Sequence, residues 1–599
     1  MDYKALSNLA TMFFDQADLW GSKPFLWSKT DGLYNPKSYK EVADEVCKVA
    51  NGLIAIGICK GDRVIIVSEN RPEWVIADLA ITAIGAIVVP AYTTNTEDDH
   101  FYVVEHSEAK AAFISTKGLM QIFGGAARKS ALCKTVITID NFLEEEGSGL
   151  KSLAWDSMLT SGTENTNDIR AKCRSIQRTD LACFIYTSGT GGNPKGVMLT
   201  HGSILANCFS AFDLLTDFGL GDEKFLSLLP LSHSYEHTCG LYFPISIGAQ
   251  IYYAEGPDKV AQNLLEAQPT IMTAVPRLYE SLYDRINKGV ERTGGVKARL
   301  FFKAVELGKK SQSLNSKMSW VEDLQNRLLN HLVRKKVKDK FGGQLKTFVS
   351  GGAALNPEIG DFFLSLGINI LQGYGQTEAS PVISCNRPGN IRIETVGPAL
   401  AGVEIKIAED GEILVRGELV MNGYWRDKKA TNEAIVDGWL HTGDIGVIQN
   451  DGFLQITDRK KDIIVNSGGD NIAPARVEAT ITLRSEFSQA MVYGDKKPYL
   501  VALIVPSEEF IGEWCKDHNE NKSLLELSKD ETFRAKVQSI ISEINTGLSQ
   551  LEKVRHMIVA REAFQTGNGL MTPTLKIRRH KISELYADQL EGLYKRKRA

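Results

Sequence analysis

Short apolar segments alternate with segments of helical periodicity along much of the chain, and this alternation constrains the fold more than any other feature. Residues 63–67 form a predicted strand, Asn70 and Pro72 open a helix that runs to Ile84, and residues 86–89 form the next strand. Further predicted strands, each separated from the next by helical pattern, lie at 225–229, 271–275, 347–350 and 368–371. The alternation predicts an α/β fold with largely parallel sheets.

The pattern changes twice along the chain. Residues 277–342 carry no predicted strand and form a helical insertion, which would serve as a lid, as a wall of a ligand tunnel or as a peripheral membrane contact. After Gly402, short strands alternate with glycine turns, and a charged joint follows at 458–462. We therefore predict an N-terminal domain at 1–457, a hinge at 458–462 and a small, mobile α+β domain at 463–599.

Size and charge exclude several classes of protein. A chain of 599 residues is too long for one core, and its net charge of −4 gives no global basic field for nucleic acid. The nine cysteines include no CxxC pair, and the first residues contain no secretory signal, so we expect reduced thiols and a cytoplasmic protein. The most membrane-like segment, residues 74–92, is predicted to form a buried helix followed by a buried strand. Oligomeric state cannot be read from the sequence.

A glycine-rich loop, YTSGTGGNPKG at 186–196, connects two apolar strands and has the composition of a phosphate site. Its glycines allow backbone N–H groups to approach an anion, its hydroxyls donate, and Lys195 adds a positive charge. The loop is neither a Walker loop nor a dinucleotide fingerprint, because Lys195 is followed by Gly196 and Pro194 stands where a third glycine would be needed. We expect a hairpin that grips phosphate as a mobile flap.

Polar and glycine-rich stretches follow two later strands at the edge where α/β sheets bind ligands. The strand at 347–350 leads into Gly351, Gly352 and Ala353, which we expect to leave room for a flat ligand ring against the backbone, and the strand at 368–371 leads into QGYGQTE. In the second stretch, Tyr374 is a candidate for stacking on a base, Thr377 for donating to phosphate and Glu378 for holding Mg²⁺. Asp444, in HTGD, is a candidate for binding ribose hydroxyls. Taken alone, Glu378 would also suit the start of a helix, and Asp444 would also suit a capping position.

Together these motifs resemble the adenylate-forming superfamily. YTSGTGGNPKG, GYGQTE, HTGD, DRKKD followed by NSGGDN, and TPTLK occur in the order and spacing of that family over nearly the whole chain. The resemblance implies a large N-terminal and a small mobile C-terminal domain. It also implies two reactions: ATP and a carboxylate give an acyl-adenylate and pyrophosphate, and the thiol of coenzyme A then displaces AMP.

The resemblance also assigns roles to residues. It implies that the phosphates are held by Thr187, Ser188, Gly189, Thr190 and Lys195, with Thr377 at the α-phosphate and Glu378 and Thr187 at Mg²⁺. It implies an adenine pocket of Gly352, Ala353 and Tyr374, further cofactor-binding residues at Gln372, Gly373 and Gly375, and a ribose site of Asp444 and Arg459. Lys576 would support adenylation, Lys461 would be the hinge, and Ser467, Gly468 and Gly469 would form the face used with coenzyme A.

The acyl substrate is indicated by VPRLYE at 275–280, the helical insertion and TPTLK, which together resemble long-chain fatty acyl-CoA synthetases. His233 lies where that family approaches the acyl carboxylate, and a structural role packed against Tyr235 is equally compatible. A medium-chain or aryl acid–CoA ligase, acyl transfer to a carrier protein, and a non-enzymatic nucleotide-binding protein are the alternatives. Gly191 departs from the family, which mostly has Thr there, so we expect a loop with one donor fewer.

Overall fold

An eight-stranded sheet forms one half of the N-terminal region. The computed structural model describes residues 1–143, 149–161, 166–187, 193–312, 318–572 and 576–595. In spatial order the strands are Val382–Cys385, Ile370–Gly375, Thr347–Ser350, Ile271–Ala274, Lys224–Ser227, Gln250–Tyr253, Pro24–Thr30 and Leu33–Ser38. Only the pairs at the two edges are antiparallel. The predicted strands therefore form a largely parallel sheet.

A seven-stranded sheet forms the other half. Its strands in spatial order are Lys151–Ala154, Thr135–Thr138, Ala109–Ile114, Arg63–Val67, Ile87–Ala91, Leu181–Thr187 and Lys195–Thr200. All neighbours are parallel except the last pair, which is the predicted hairpin. Both sheets thus confirm the α/β prediction.

Smaller antiparallel elements follow, as the change of pattern after Gly402 predicts. A five-stranded sheet contains Glu404–Ile407, Glu412–Arg416, Ile435–Val436, Trp439–Ile448 and Leu454–Arg459. A short pair, Ile464–Val465 and Asn471–Ile472, precedes a three-stranded sheet of Phe487–Tyr493, Leu500–Pro506 and Val554–Val559. This last sheet has apolar clusters on both faces built from residues beyond 460, so the C-terminal region has its own core.

Helices cover the sheets. In the N-terminal region they are Leu9–Trp20, Tyr39–Ala55, Pro72–Ala83, Glu97–Ser107, Lys117–Lys129, Trp155–Ser161, Thr166–Arg174, His201–Thr216, Phe243–Ser246, Val260–Ala267, Pro276–Thr293, Gly295–Gln312, Trp320–Leu329, Lys335–Lys340, Pro357–Ser365 and Lys428–Ala434. In the C-terminal region they are Pro474–Thr482, Glu508–Asp517, Leu524–Leu527, Glu531–Ile544, Arg579–Leu585 and Ala587–Lys595. π-Helical segments occupy Glu236–Tyr242 and Asn330–Arg334, and 3₁₀ turns occupy Thr377–Ala379 and Asn545–Gly547.

The membrane-like segment is buried inside this fold, as predicted. Helix Pro72–Ala83 and strand Ile87–Ala91 are buried along almost their whole length. Asp78, the charge in this segment, is bound by His237 at 3.0 Å and by the Tyr242 hydroxyl. Across the described part of the chain, every helix is too short or too polar to cross a bilayer. All nine cysteines are free, which agrees with the expected reduced thiols.

Three of the element boundaries that differ from the sequence prediction have a clear structural cause. The strand expected to end at Leu371 continues to Gly375, because Gly373, Tyr374 and Gly375 pair with the strand Val382–Cys385. The strand Leu454–Arg459 extends into the expected hinge, where Arg459 pairs with Asp444. Asn70 does not open the following helix, because its side-chain amide donates to Ser227 Oγ and the Leu229 carbonyl instead.

Candidate active site

The phosphate-loop hairpin is fixed at its base from both sides. Thr187, the last residue of the first strand, pairs with Lys195, the first residue of the second. This pairing brings two predicted phosphate ligands to the mouth of the loop. The outer edge of the second strand binds another segment: Met198 N donates to the Gly423 carbonyl at 3.0 Å, and Trp425 N donates to the Gly196 carbonyl at 2.8 Å. Ser188, Gly189, Thr190 and Gly191 lie outside the described residues. The expected flap therefore has an anchored base.

Tyr424 joins the hairpin to the predicted magnesium ligand. Its hydroxyl donates to Glu378 Oε1 at 2.9 Å, and the Lys195 ammonium lies 4.7 Å from the centroid of its ring. Burial, followed by the Glu378 charge, raises the pKa of Tyr424, so the phenol remains a donor at neutral pH. Sequence analysis missed Tyr424, because a lone tyrosine in MNGYW carries no chemical signal of its own.

Thr377 and Glu378 lie in the short 3₁₀ turn that follows strand Ile370–Gly375. The Thr377 hydroxyl lies 3.0 Å from Ser234 Oγ, and the Glu378 carbonyl accepts from Met421 N at 2.9 Å. Both predicted residues are thereby held by elements far away in sequence. Ser234 is a second neighbour of the site that sequence analysis did not single out.

Tyr374, Asp444 and Arg459 form one hydrogen-bonded group. Asp444 is buried and accepts from the Tyr374 hydroxyl at 2.6 Å and from Arg459 Nε at 3.1 Å. Burial and the Asp444 charge raise the pKa of Tyr374 well above its usual value, which keeps the phenol protonated. Residues predicted for adenine and for ribose thus share one network, with Asp444 at its centre.

The glycine-rich stretches have different local roles. The space beside Gly351 is filled by Tyr235, because a Cβ there would lie 3.1 Å from the Tyr235 ring, whose hydroxyl donates to the Val349 carbonyl at 2.8 Å. The expected room for a flat ligand ring is therefore not at Gly351, whereas Gly352 and Ala353 are exposed.

Gln372, Gly373 and Gly375 have structural contacts of their own. Gln372 is buried, and its side chain binds the backbone of Leu355, Ile393 and Thr395. A Cβ on Gly373 would lie 3.3 Å from Cys385 Sγ, and one on Gly375 would lie 2.0 Å from the Pro381 carbonyl oxygen. Gln372, Gly373 and Gly375 therefore determine how this strand packs against its neighbours.

Lys576 brings the C-terminal region to this group. Part of its side chain is exposed. Burial is the largest effect on its pKa and lowers it, the Arg459 charge lowers it further, and Asp444 and Glu378 oppose both. Lys576 is therefore close enough to Glu378, Asp444 and Arg459 for their charges to affect its pKa.

His233 is also close enough to Lys576 for the ammonium to affect its pKa. Its Nδ1 accepts from Tyr235 N at 3.2 Å, which supports the structural alternative. Burial lowers the pKa of His233 to about 4, and the Lys576 ammonium contributes, so the ring is neutral at pH 7. The residue is therefore hydrogen-bonded to the backbone of Tyr235 and affected by the charge of the predicted catalytic lysine.

Glu236, three residues after His233 in the sequence, has a buried carboxyl group. Glu236 begins the π-helical segment, is fully buried, and accepts from Ser227 Oγ at 2.7 Å and Thr273 Oγ1 at 2.6 Å. Burial raises the pKa of Glu236 to about 7 despite these two hydrogen bonds. The segment next to the site therefore contains an acid that titrates near neutrality.

Lys461, predicted for the hinge, and the residues predicted for coenzyme A lie at exposed positions. Lys461 is exposed in the turn after strand Leu454–Arg459. Ser467, Gly468 and Gly469 form an exposed turn, in which Gly468 N donates to Asn466 Oδ1 at 2.8 Å and Gly469 has a φ of 87°. In this conformation the charges of Glu378 and Asp444 act on Lys576.

This arrangement defines a class of nucleotide-dependent enzyme in which a glycine-rich hairpin and a lysine from a second domain converge on one carboxylate site. The chain belongs to the AMP-binding enzyme family: the family profile matches residues 13–425, and that of the AMP-binding enzyme C-terminal domain matches 461–598.

Relatives of known name cover most of the chain. Long-chain-fatty-acid–CoA ligase FadD15 of Mycobacterium bovis is 32% identical over 94% of this chain and 93% of its own length. Long-chain-fatty-acid–CoA ligase 1 of Cavia porcellus is 32% identical over 94% of this chain and 83% of its own. Among solved structures, an anthranilate CoA ligase in complex with anthranoyl-AMP superposes with a TM-score of 0.73 at 20% identity, covering 99% of this chain and 100% of its own. That structure supports the adenylate-forming fold.

Proposed function

We propose that this protein activates a long-chain fatty acid with ATP and transfers the acyl group to coenzyme A, releasing pyrophosphate and AMP. The observation that carries the proposal is one group of contacts: Glu378 is hydrogen-bonded to Tyr424 beside Lys195, Asp444 is hydrogen-bonded to Tyr374 and Arg459, and the charges of Glu378, Asp444 and Arg459 act on Lys576. It supports the arrangement needed for the first reaction, in which an ammonium must stand beside the phosphate that is attacked. The names of relatives about 32% identical over 94% of the chain support the long-chain class.

In the first reaction a carboxylate oxygen of the acid bonds to the α-phosphorus of ATP while the bond to pyrophosphate breaks. Negative charge gathers on the α-phosphate oxygens in the transition state, and donors already in place stabilise it. We assign this role to the Lys576 ammonium and the Thr377 hydroxyl, with Lys195 at the departing phosphates. No side chain needs to act as a nucleophile.

The residues also fit a Mg²⁺ ion bound with the nucleotide. Magnesium in such sites uses one or two carboxylates together with substrate phosphate oxygens and water. Glu378 offers one carboxylate oxygen that the Tyr424 hydroxyl does not use in its 2.9 Å bond, and Thr187 stands at the mouth of the phosphate loop. The ion would supply charge neutralisation at the phosphates.

In the second reaction the sulfur of coenzyme A bonds to the acyl carbon and the bond to AMP breaks. In the present conformation the charges of Glu378, Asp444 and Arg459 act on Lys576, so we expect this step to call for a rotation of the C-terminal domain. We place the hinge at 458–462, with Lys461 absorbing the rotation, and assign the turn of Ser467, Gly468 and Gly469 to the face that then meets the thiol.

The preference for a long chain is expected from apolar burial, since each methylene removed from water contributes about 0.8 kcal/mol. A neutral His233 is compatible with an acid whose tail is apolar, because it adds no charge beside the carboxylate and the tail.

The test is ATP–pyrophosphate exchange with acetate, octanoate, palmitate, oleate and coumarate, followed by product formation with coenzyme A. We expect exchange with palmitate and oleate and an acyl-CoA product. A preference for acetate or coumarate would replace the long-chain assignment, and transfer to a carrier-protein thiol without coenzyme A would replace the second reaction.

A further inference from the structure

A row of large apolar side chains lies exposed on the helical insertion. Its members, with their exposed fractions, are Trp320 80%, Val321 42%, Leu324 64%, Leu328 58% and Leu332 43%. Side chains four residues apart share one face of a helix, so Trp320, Leu324, Leu328 and Leu332 form a continuous stripe. We call these five residues the apolar row. Exposed apolar patches of this kind mark interaction surfaces.

The helix that carries the row is anchored by its opposite face. Leu329 and Val333 are buried there. Arg334 is buried as well, and its guanidinium donates to the carbonyls of Ser365 and Ala304, both at 2.6 Å. The apolar row is therefore presented on a fixed platform.

The insertion that carries the row is strongly basic. Residues 277–342 contain 16 Lys and Arg against 7 Asp and Glu, a formal charge of +9, whereas the whole chain carries −4. Exposed Lys336 continues the four-residue spacing after Leu332, with Lys335 beside it. The two acids nearest the row are in ion pairs, Glu322 with Lys310 at 2.6 Å and Asp323 with Arg327 at 2.9 Å. The insertion that carries the apolar row is thus basic as a whole, and two exposed lysines lie at the end of the row.

We propose that the apolar row and the lysines that follow it form a docking surface for an anionic lipid bilayer. Helices that lie in the membrane interface combine Trp and Leu on one face with Lys and Arg at the headgroup level. Juxtamembrane basic residues are attracted to acidic lipids, and this attraction weakens with salt. A second copy of the chain fits less well, because a two-fold pairing on this face would oppose two insertions of +9 each.

The test is flotation of the full chain with vesicles of pure phosphatidylcholine and with vesicles containing about 30% phosphatidylglycerol. We expect binding to the acidic vesicles, weaker binding to the neutral ones, and loss of binding at high salt. The triple variant Trp320→Ser, Leu324→Ser, Leu328→Ser should bind at least about tenfold more weakly. Its matched control, Leu33→Ser, Leu525→Ser, Leu551→Ser, removes three other exposed leucines and should bind normally.

A charge variant keeps the proposal testable if the triple variant folds poorly. Lys335→Glu with Lys336→Glu should lose binding to acidic vesicles, whereas Lys428→Glu with Lys429→Glu, two exposed lysines elsewhere, should not. Equal binding by the row variants and the wild type would overturn the proposal. So would a self-associated oligomer that the triple variant disrupts while vesicle binding stays unchanged.

Discussion

The Tyr424 hydroxyl donates a 2.9 Å hydrogen bond to Glu378 Oε1 while the Lys195 ammonium lies 4.7 Å from the centroid of its ring. One side chain therefore sets the spacing between the proposed phosphate lysine and the proposed magnesium carboxylate. Tyr424 itself is positioned by its neighbours, because its backbone N donates to Thr431 Oγ1 at 2.9 Å.

Removing only the hydroxyl should weaken nucleotide and magnesium use. A hydrogen bond to a charged group contributes about 1.5–3 kcal/mol, so Tyr424→Phe should lower kcat/KM for ATP by roughly tenfold to a hundredfold and raise the Mg²⁺ concentration needed. Tyr424→Leu, which also removes the ring beneath Lys195, should be more severe. ATP–pyrophosphate exchange at varied Mg²⁺ measures kcat/KM and the magnesium requirement of each variant, and calorimetry measures its ATP binding. The control is Tyr493→Phe, which removes a 2.9 Å bond to Glu591 in the C-terminal region; equal behaviour of Tyr424→Phe and this control would count against the assignment.

Gly375 should tolerate no side chain. A Cβ there would lie 2.0 Å from the Pro381 carbonyl oxygen, and backbone cannot move away as a flexible side chain can. Gly375→Ala should destabilise the protein by about 3 kcal/mol or more, seen as a lower Tm. Gly512→Ala is the control, because it lies within helix Glu508–Asp517 with no atom within 4 Å, and should be neutral or stabilise by up to about 1 kcal/mol. A normal Tm for Gly375→Ala would show that the strand edge can rearrange.

Glu236 should make stability depend on pH. Burial raises its pKa from 4.5 to about 7, so between these values the folded protein holds a proton that the unfolded chain has released. The contribution of protonated Glu236 to the free energy of unfolding is fully present below pH 4.5 and is lost as the pH rises to about 7. This loss amounts to about 3 kcal/mol at most. In Glu236→Gln this component should be absent. As the pH rises from 4.5 to 7, the urea midpoint of the wild type should therefore decrease relative to that of the variant. Parallel curves for the two proteins would contradict the buried acid.

Gly191→Thr should tighten ATP binding. The substitution restores the hydroxyl donor that the family mostly has at this position, and a neutral hydrogen bond contributes about 1 kcal/mol, or roughly fivefold in Kd. Calorimetric titration of wild type and variant with ATP measures the change. Unchanged or weaker binding would mean that the missing donor is not what limits this loop.

Local pattern was enough to predict the strands and the hairpin, because apolar segments such as 181–186 are buried through their own composition. It was also enough to select Tyr374, Glu378 and Asp444 as candidates. It could not predict Tyr424 or Ser234, since their contacts with Glu378 and Thr377 span 46 and 143 positions and depend on how the sheets pack. The extension of a strand to Gly375 was missed for the same reason, because only its partner strand Val382–Cys385 continues the ladder.

The central claim is that Lys576 serves the first reaction and not the second. The most direct measurement compares Lys576→Ala with wild type in ATP–pyrophosphate exchange with palmitate and in coenzyme A-dependent thiolysis of supplied palmitoyl-adenylate. We predict that exchange falls by about a hundredfold or more, because the charge opposite the α-phosphate is lost, while ATP binding and thiolysis persist. Unchanged exchange, or an equal loss in both reactions, would contradict the role assigned to Lys576.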